Sequence, residues 1–163
     1  NGAHPLPIQY NQKVQHLKIH HDKTWRLGSW GYQSEIIYQN VLNGAEVLPV
    51  PDLLTRQTVF FEDEWFKKAA KIQTGVRLKY FTEFNLPAYD PVLAEFYVQS
   101  EESLGAFPLV DFFFQTKIRQ TRLFLIYEHM NQLFQGENNH FSAPGIPYRD
   151  ASLRFGLVWN FFK

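Results

Sequence analysis

The stretch Ala151 to Phe162, ASLRFGLVWNFF, sets the tightest limit on what this chain can fold into. Leu153, Phe155, Leu157, Trp159 and Phe161 fall on alternate positions, with Ser152, Arg154, Gly156, Val158 and Asn160 between them. Side chains of a β-strand alternate with period two, so one face of this strand is wholly apolar and rich in aromatics. Its length is that of a strand crossing a bilayer at a tilt, roughly 9–11 residues. A strand in hydrocarbon must belong to a closed barrel, because an open edge there leaves backbone groups unpaired at several kcal/mol each.

The same alternation recurs upstream. From Ala70 to Thr82, Ala70, Ile72, Thr74, Val76, Leu78 and Tyr80 oppose Lys71, Gln73, Gly75, Arg77 and Lys79. Trp65 to Ile72 also reads as a helix, but the strict alternation beyond it favours a strand. Val92, Ala94, Phe96 and Val98 alternate with Glu95, Tyr97 and Gln99. In Leu109 to Arg119 the apolar set is Val110, Phe112, Phe114, Thr116 and Ile118, the polar set Asp111, Gln115, Lys117 and Arg119, with Phe113 the exception. Past Gln120 the phase changes, since Leu123, Leu125 and Tyr127 are odd, as a tight hairpin or a bulge would produce.

Lys13 to His21, Trp25 to Gln39 and Leu54 to Phe61 are β-like with poorer alternation, the second with a bulge expected near Gly28 or Gly31. Asn40 to Asp52, Phe84 to Pro91 and Asn131 to Asp150 read as connections. The expectation is an all-β chain of about eight antiparallel strands, one segment over residues 1–163, with no internal repeat.

Each clear strand has a dry and a wet face. A soluble sandwich would turn the dry faces inward, whereas a membrane barrel turns them to lipid and lines its lumen with the polar ones. Long charged side chains at successive polar positions, aromatics mixed with small residues on the apolar faces, and the aromatic terminal strand favour the barrel. Sixteen basic and sixteen acidic residues leave no basic footprint for nucleic acid. Aromatics are 17% of residues, which fits the girdles of membrane barrels. There is no Cys, hence no disulfide framework and no thiolate chemistry. No apolar run reaches transmembrane-helix length, and Asn1 to Asn11 lacks the marks of a signal peptide, so a mature or cut chain is expected.

The expected lumen-facing residues are Lys71, Gln73, Arg77, Lys79, Glu95, Asp111, Gln115, Lys117, Arg119 and Arg154. The expected lipid-facing residues are Ile72, Val76, Leu78, Phe96, Phe112, Phe114, Phe155, Leu157, Trp159 and Phe161. Basic residues outnumber acidic ones in the first set, which favours anions by fixed charge; a charge network bracing a plugged lumen is the alternative. Trp30, Tyr32, Tyr80, Tyr97, Tyr127, Tyr148 and Trp159 are candidates for an interface girdle. His20 and His21 point to opposite faces, and His16 and His20 stand about 13 Å apart along a strand, so none of them pairs readily on a metal. His129 and His140, near Glu128, Glu137 and Asn131, are better explained as solvated loop residues. No acid–base pair, nucleophile elbow or phosphate loop appears, so neither catalysis nor a cofactor is expected.

Four ordered stretches carry a family resemblance: LPVPDLLTRQTVFFEDEWF from Leu48, KIQTGVRLKYFTEFNLPAYDPVLAEFYVQ from Lys71, LGAFPLVDFFFQTKIRQTRLFLIYEHMN from Leu104, and GIPYRDASLRFGLVWNFF from Gly145. From about Val47 onward the chain resembles a porin family of Gram-negative outer membranes. The resemblance implies a transmembrane β-barrel whose C-terminal part is present here, ending in the periplasm, with the last strand read by the barrel-assembly machinery. It implies outer-membrane lipid and small polar solutes as partners, and leaves homo-oligomers open. Lys163 departs from the pattern, since such strands end on the aromatic itself. Counted back from a periplasmic C-terminus, Asn131 to Asp150 falls outside and Asn40 to Asp52 falls, against its length, on the periplasmic side. A barrel with a plugged lumen serving as anchor, and a soluble sandwich or lipocalin-like binder, are the competing readings.

Overall fold

The computed structural model of the chain describes residues 9–132 and 140–161; Glu137, Phe162, Lys163 and residues 1–8 lie outside the described residues. The strands are β1 (Gln15–Leu27), β2 (Trp30–Asn43), β3 (Leu53–Trp65), β4 (Ala70–Phe81), β5 (Ala88–Asp90) and β6 (Glu95–Tyr97). They continue with β7 (Leu109–Ile118), β8 (Thr121–Glu128), β9 (Phe141–Ala143), β10 (Ile146–Pro147) and β11 (Ser152–Trp159). Seven of them form one sheet in the order β1-β2-β3-β4-β7-β8-β11, every neighbour antiparallel. β5 with β6, and β9 with β10, form separate two-stranded ribbons. Among the described residues β1 and β11 are the outer strands of an open sheet.

The expected strand over Val92 to Val98 is corrected to this small ribbon. Asp90 Oδ1 accepts hydrogen bonds from the backbone N–H of Val92 at 2.8 Å and of Leu93 at 3.2 Å, and Ala94 has φ 56, so the chain turns where a strand would have continued. Glu95 and Phe96 therefore stand outside the large sheet and belong to neither of its faces. The irregularity expected near Gly28 or Gly31 is a full hairpin: Gly28 and Ser29 connect Leu27 to its partner Trp30, and Gly28 takes the φ of 59 that such a turn requires. The phase change at Gln120 is likewise a two-residue hairpin, in which Arg119 carries a φ of 53 and sits in the turn rather than on β7. The helical alternative at Trp65 to Ile72 yields to a turn at residues 66–69 and the start of β4.

Removing one spanning strand reverses the parity of everything before it. The turns at 28–29, 66–69 and 119–120, and the end of β11, all lie at one end of the sheet, here the turn end. The connections 44–52, 82–108 and 129–151 all lie at the other, the loop end. Short links at one end and long ones at the other make the exception at Asn40 to Asp52 disappear.

Register fixes the two faces. One row runs Trp25–Tyr32–Val59–Val76–Phe112–Tyr127–Leu153 across all seven strands, with Leu78, Phe114, Phe155, Leu157 and Trp159 on the same side. This apolar face is open, with Phe155 81% and Leu157 60% exposed. Its polar interruptions are concentrated on β1 to β3, where Tyr32 Oη donates to Gln57 Oε1 at 2.6 Å and Ser34 is buried. Ile72 shares the face but is covered by its neighbours. The alternate row is Arg26–Gly31–Phe60–Gly75–Phe113–Ile126–Arg154. In it Phe60 lies against Gly31, and Phe113 against Gly75, so each ring covers the bare backbone of the next strand. Phe60 and Phe113 are buried there, which explains the apolar exception on β7.

Candidate functional site

The polar face is where chemistry is concentrated. Lys71, Gln73, Arg77, Lys79, Asp111, Gln115, Lys117 and Arg154 all lie on it, as their register positions require. Arg119 lies beyond the strand end and Phe161 beyond the end of β11. Trp30, Tyr32, Tyr80, Tyr127 and Trp159 lie on the apolar face, whereas Tyr97 is in the loop ribbon and Tyr148 in the last connection. Trp65, Ala70, Ile118, Thr121 and Trp159 form the last register row of the apolar face at the turn end, an aromatic edge.

The sequence reading missed most of the acids and several cations of this face. Lys18, Arg26 and Asp22 come from β1, Glu35 from β2, Arg56, Glu62 and Glu64 from β3, and Arg122 and Glu128 from β8. The missed acids accept most of the cations. Glu35 pairs with Arg56 and lies 3.5 Å from His20 Nε2. Glu62 Oε1 receives Arg26 at 3.0 Å and Lys71 Nζ at 3.1 Å, and its Oε2 receives Gln73 Nε2 at 3.2 Å. Glu128 receives Arg154 at 3.0 Å and Arg149 at 3.4 Å.

At the loop end, buried Asp111 receives Lys79 Nζ at 2.6 Å and the backbone N–H of His129 at 3.1 Å. His129 is buried beside Tyr148, and its Nδ1 lies 3.3 Å from the carbonyl of Arg149. The His140 ring stacks on Phe107 at 4.3 Å and stands 6.4 Å from His129. Burial first, and the nearby His129 second, hold the His140 imidazole below its ordinary pKa. His129 and His140 thus brace the last connection rather than lying in solvent. Among the described residues no group of three or more His, Cys, Asp or Glu could hold a metal ion.

The polar face curves around space. Thr24 and Arg26 of β1 line the same cavity of about 230 Å³ as Phe124 and Ile126 of β8, with Arg77 and Gln115 between them. Strands at the two sides of the sheet share a hollow only if the sheet bends toward that side. The guanidinium of Arg77 lies 5.3 Å above the Phe113 ring and that of Arg26 5.4 Å from Phe60, so both rings are capped by cations. The arrangement can hold water, small polar solutes and ions beside fixed charge.

These features define an all-β, antiparallel sheet protein whose charged face is the sheltered, curved one and whose apolar face is the open one. The family described as "Putative porin" matches residues 2–163, and the chain belongs to that family. No curated protein and no solved structure matches it.

Proposed function

We propose that the chain forms part of an outer-membrane β-barrel that conducts small polar solutes passively, with a preference for anions. The observation that carries this reading is the inversion of the faces. A soluble sheet buries its apolar face and exposes large contiguous apolar patches only rarely. Here the apolar face is the exposed one across seven strands, and the charges sit on the face that curves inward. Lipid satisfies the first face and a watery lumen the second. In hydrocarbon both open edges need pairing, so further strands complete the barrel around this sheet. The family membership supports the same reading.

On this proposal the turn end and the C-terminus face the periplasm and the three long connections face outward. Lipid is then the partner of the apolar face, the assembly machinery that of β11, and no catalysis is involved. Reversal potentials of the full-length protein in planar bilayers test it, across a salt gradient. Discrete conductance with modest anion preference, weaker at high salt, is expected. Absence of conductance from correctly folded protein overturns the channel. Orientation is tested separately, by labelling Ser142→Cys and Lys67→Cys in intact cells. Only the first should react, and the reverse pattern inverts the topology.

A further inference from the structure

We infer that the polar face carries a binding site for a small oxyanion at its turn end, built from Lys117 and Arg122 beside Lys71. The register places Lys71 directly opposite Lys117, and Lys117 directly opposite Arg122. Three cations thus occupy neighbouring positions on three adjacent strands, each about 4.8 Å from the next strand. Like charges placed opposite each other destabilise a sheet, so such a row needs a counter-charge. On the β3 side the row continues with Glu64, directly opposite Lys71 and 4.0 Å from Lys68 Nζ, but among the described residues no carboxylate pairs with Lys117 or Arg122. Glu62 borders the same hollow, but its carboxylate is already occupied by Arg26, Lys71 and Gln73. Lys117 and Arg122 are both exposed.

The row opens onto a hollow of about 340 Å³ floored by Gln73 and Gln115, whose amides are joined by a hydrogen bond from Gln115 Nε2 to Gln73 Oε1. That volume takes a phosphate, a sulfate or a carboxylate-bearing solute. An ammonium and a guanidinium side by side offer charge-assisted donors to two oxygens of one such group. The inference deepens the channel proposal, since the oxyanion would be held at the lumen mouth on the turn side.

The probe is inorganic phosphate, added to the folded full-length protein in detergent and followed by phosphorus NMR. Saturable binding is expected, weakened about a hundredfold in Lys117→Gln/Arg122→Gln, because each of the two lost charge-assisted bonds is worth about a factor of ten. Lys18→Gln, on β1 of the same face, should leave it unchanged. Removing like charges relieves repulsion, so the double variant should unfold at no lower temperature than the wild type without phosphate. Phosphate should raise the unfolding temperature of the wild type alone. Equal affinity in wild type and double variant, or no saturable binding, overturns the site whatever the conductance. Binding that depends on Lys117 and Arg122 in a protein that conducts nothing sustains the site and removes the channel instead.

Discussion

Gly75 is the position where one methyl group should do the most damage. It sits in the middle of β4, on the polar face, between Phe60 of β3 and Phe113 of β7. A Cβ built there collides with the carbonyl oxygen of Val59, and stands 2.9 Å from Phe60 Cα and 2.9 Å from the Phe113 ring. Two of those neighbours are backbone of β3, so relief requires the two strands to part. Overpacking costs about 1–3 kcal/mol where side chains can adjust. With backbone in the way, Gly75→Ala should cost about 3 kcal/mol, the top of that range. Gly156 provides the contrast. Its added Cβ would meet only ring atoms of Phe124, the nearest at 2.5 Å, and a ring can swing aside. Gly156→Ala should cost about 1 kcal/mol, reduced further by the smaller backbone entropy that Ala loses on folding. Urea unfolding of the full-length protein in lipid vesicles, followed by tryptophan fluorescence, measures both. Adding Phe113→Ala to Gly75→Ala should recover little, because the backbone clash persists. If Gly75→Ala lies within about 0.5 kcal/mol of wild type, or is better tolerated than Gly156→Ala, the glycine and ring packing does not hold the sheet together.

Other substitutions separate the faces, the turns and the loops. Phe155→Arg should destabilise the lipid-embedded protein by about 2–4 kcal/mol and Ser152→Arg by much less, and equal costs would argue against a lipid-facing apolar side. Arg119→Gly should stabilise by about 1 kcal/mol in the same assay, since a non-glycine residue pays for the left-handed conformation of that turn. His140 binds its proton less readily than an unfolded histidine, so its contribution to stability is complete above about pH 6.5 and declines as pH falls below it. Amide protection in the last connection, taken relative to the intrinsic exchange rate at each pH, should therefore fall as pH drops below about 6.5, and His140→Phe should remove the dependence. Unchanged protection would show that the His140–Phe107 stack does not secure the connection.

The parts of this fold that announce themselves in the sequence are those where one strand alone carries the signal. β4 and β11 alternate throughout and β7 does so but for Phe113, and the phase change at Gln120 marks a hairpin without help from any partner. The same logic was available at Gly28-Ser29, where Trp25 and Leu27 occupy odd positions and Trp30 and Tyr32 even ones, and Gly-Ser is a two-residue turn signal. Alternation over the few residues around Glu95–Tyr97 resembles a strand's, although the connection Phe84 to Pro91 ends on Asp90-Pro91, a turn initiator that carries the chain through Val92 and Leu93 into a short ribbon. What periodicity could not reveal is register. Lys71 and Lys117 are brought opposite each other across a connection of residues 82–108, and no local pattern fixes that pairing. The acids that neutralise the face come from β2, β3 and β8, so a count over the clear strands alone overstated its positive charge.

That difference matters physically because paired and unpaired charges act over different distances. A carboxylate holding two cations, as Glu62 holds Arg26 and Lys71, leaves mostly a local dipole and residual charge whose field fades quickly. Lys18, Arg77, Lys117 and Arg122 have no carboxylate partner among the described residues, and Arg77 is spent on the Phe113 ring. Of these, only Lys117 and Arg122 stand directly opposite each other, near the turn end, whereas Arg77 lies mid-sheet and Lys18 toward the loop end of β1. The pairs on β1 to β4 brace the curved sheet, and the rings over Gly31 and Gly75 fill the places where it bends without a side chain. Support and attraction thus fall to different residues of one face. Neutralising Arg56 or Lys79 would loosen the sheet, whereas neutralising Lys117 or Arg122 would change what lies against it.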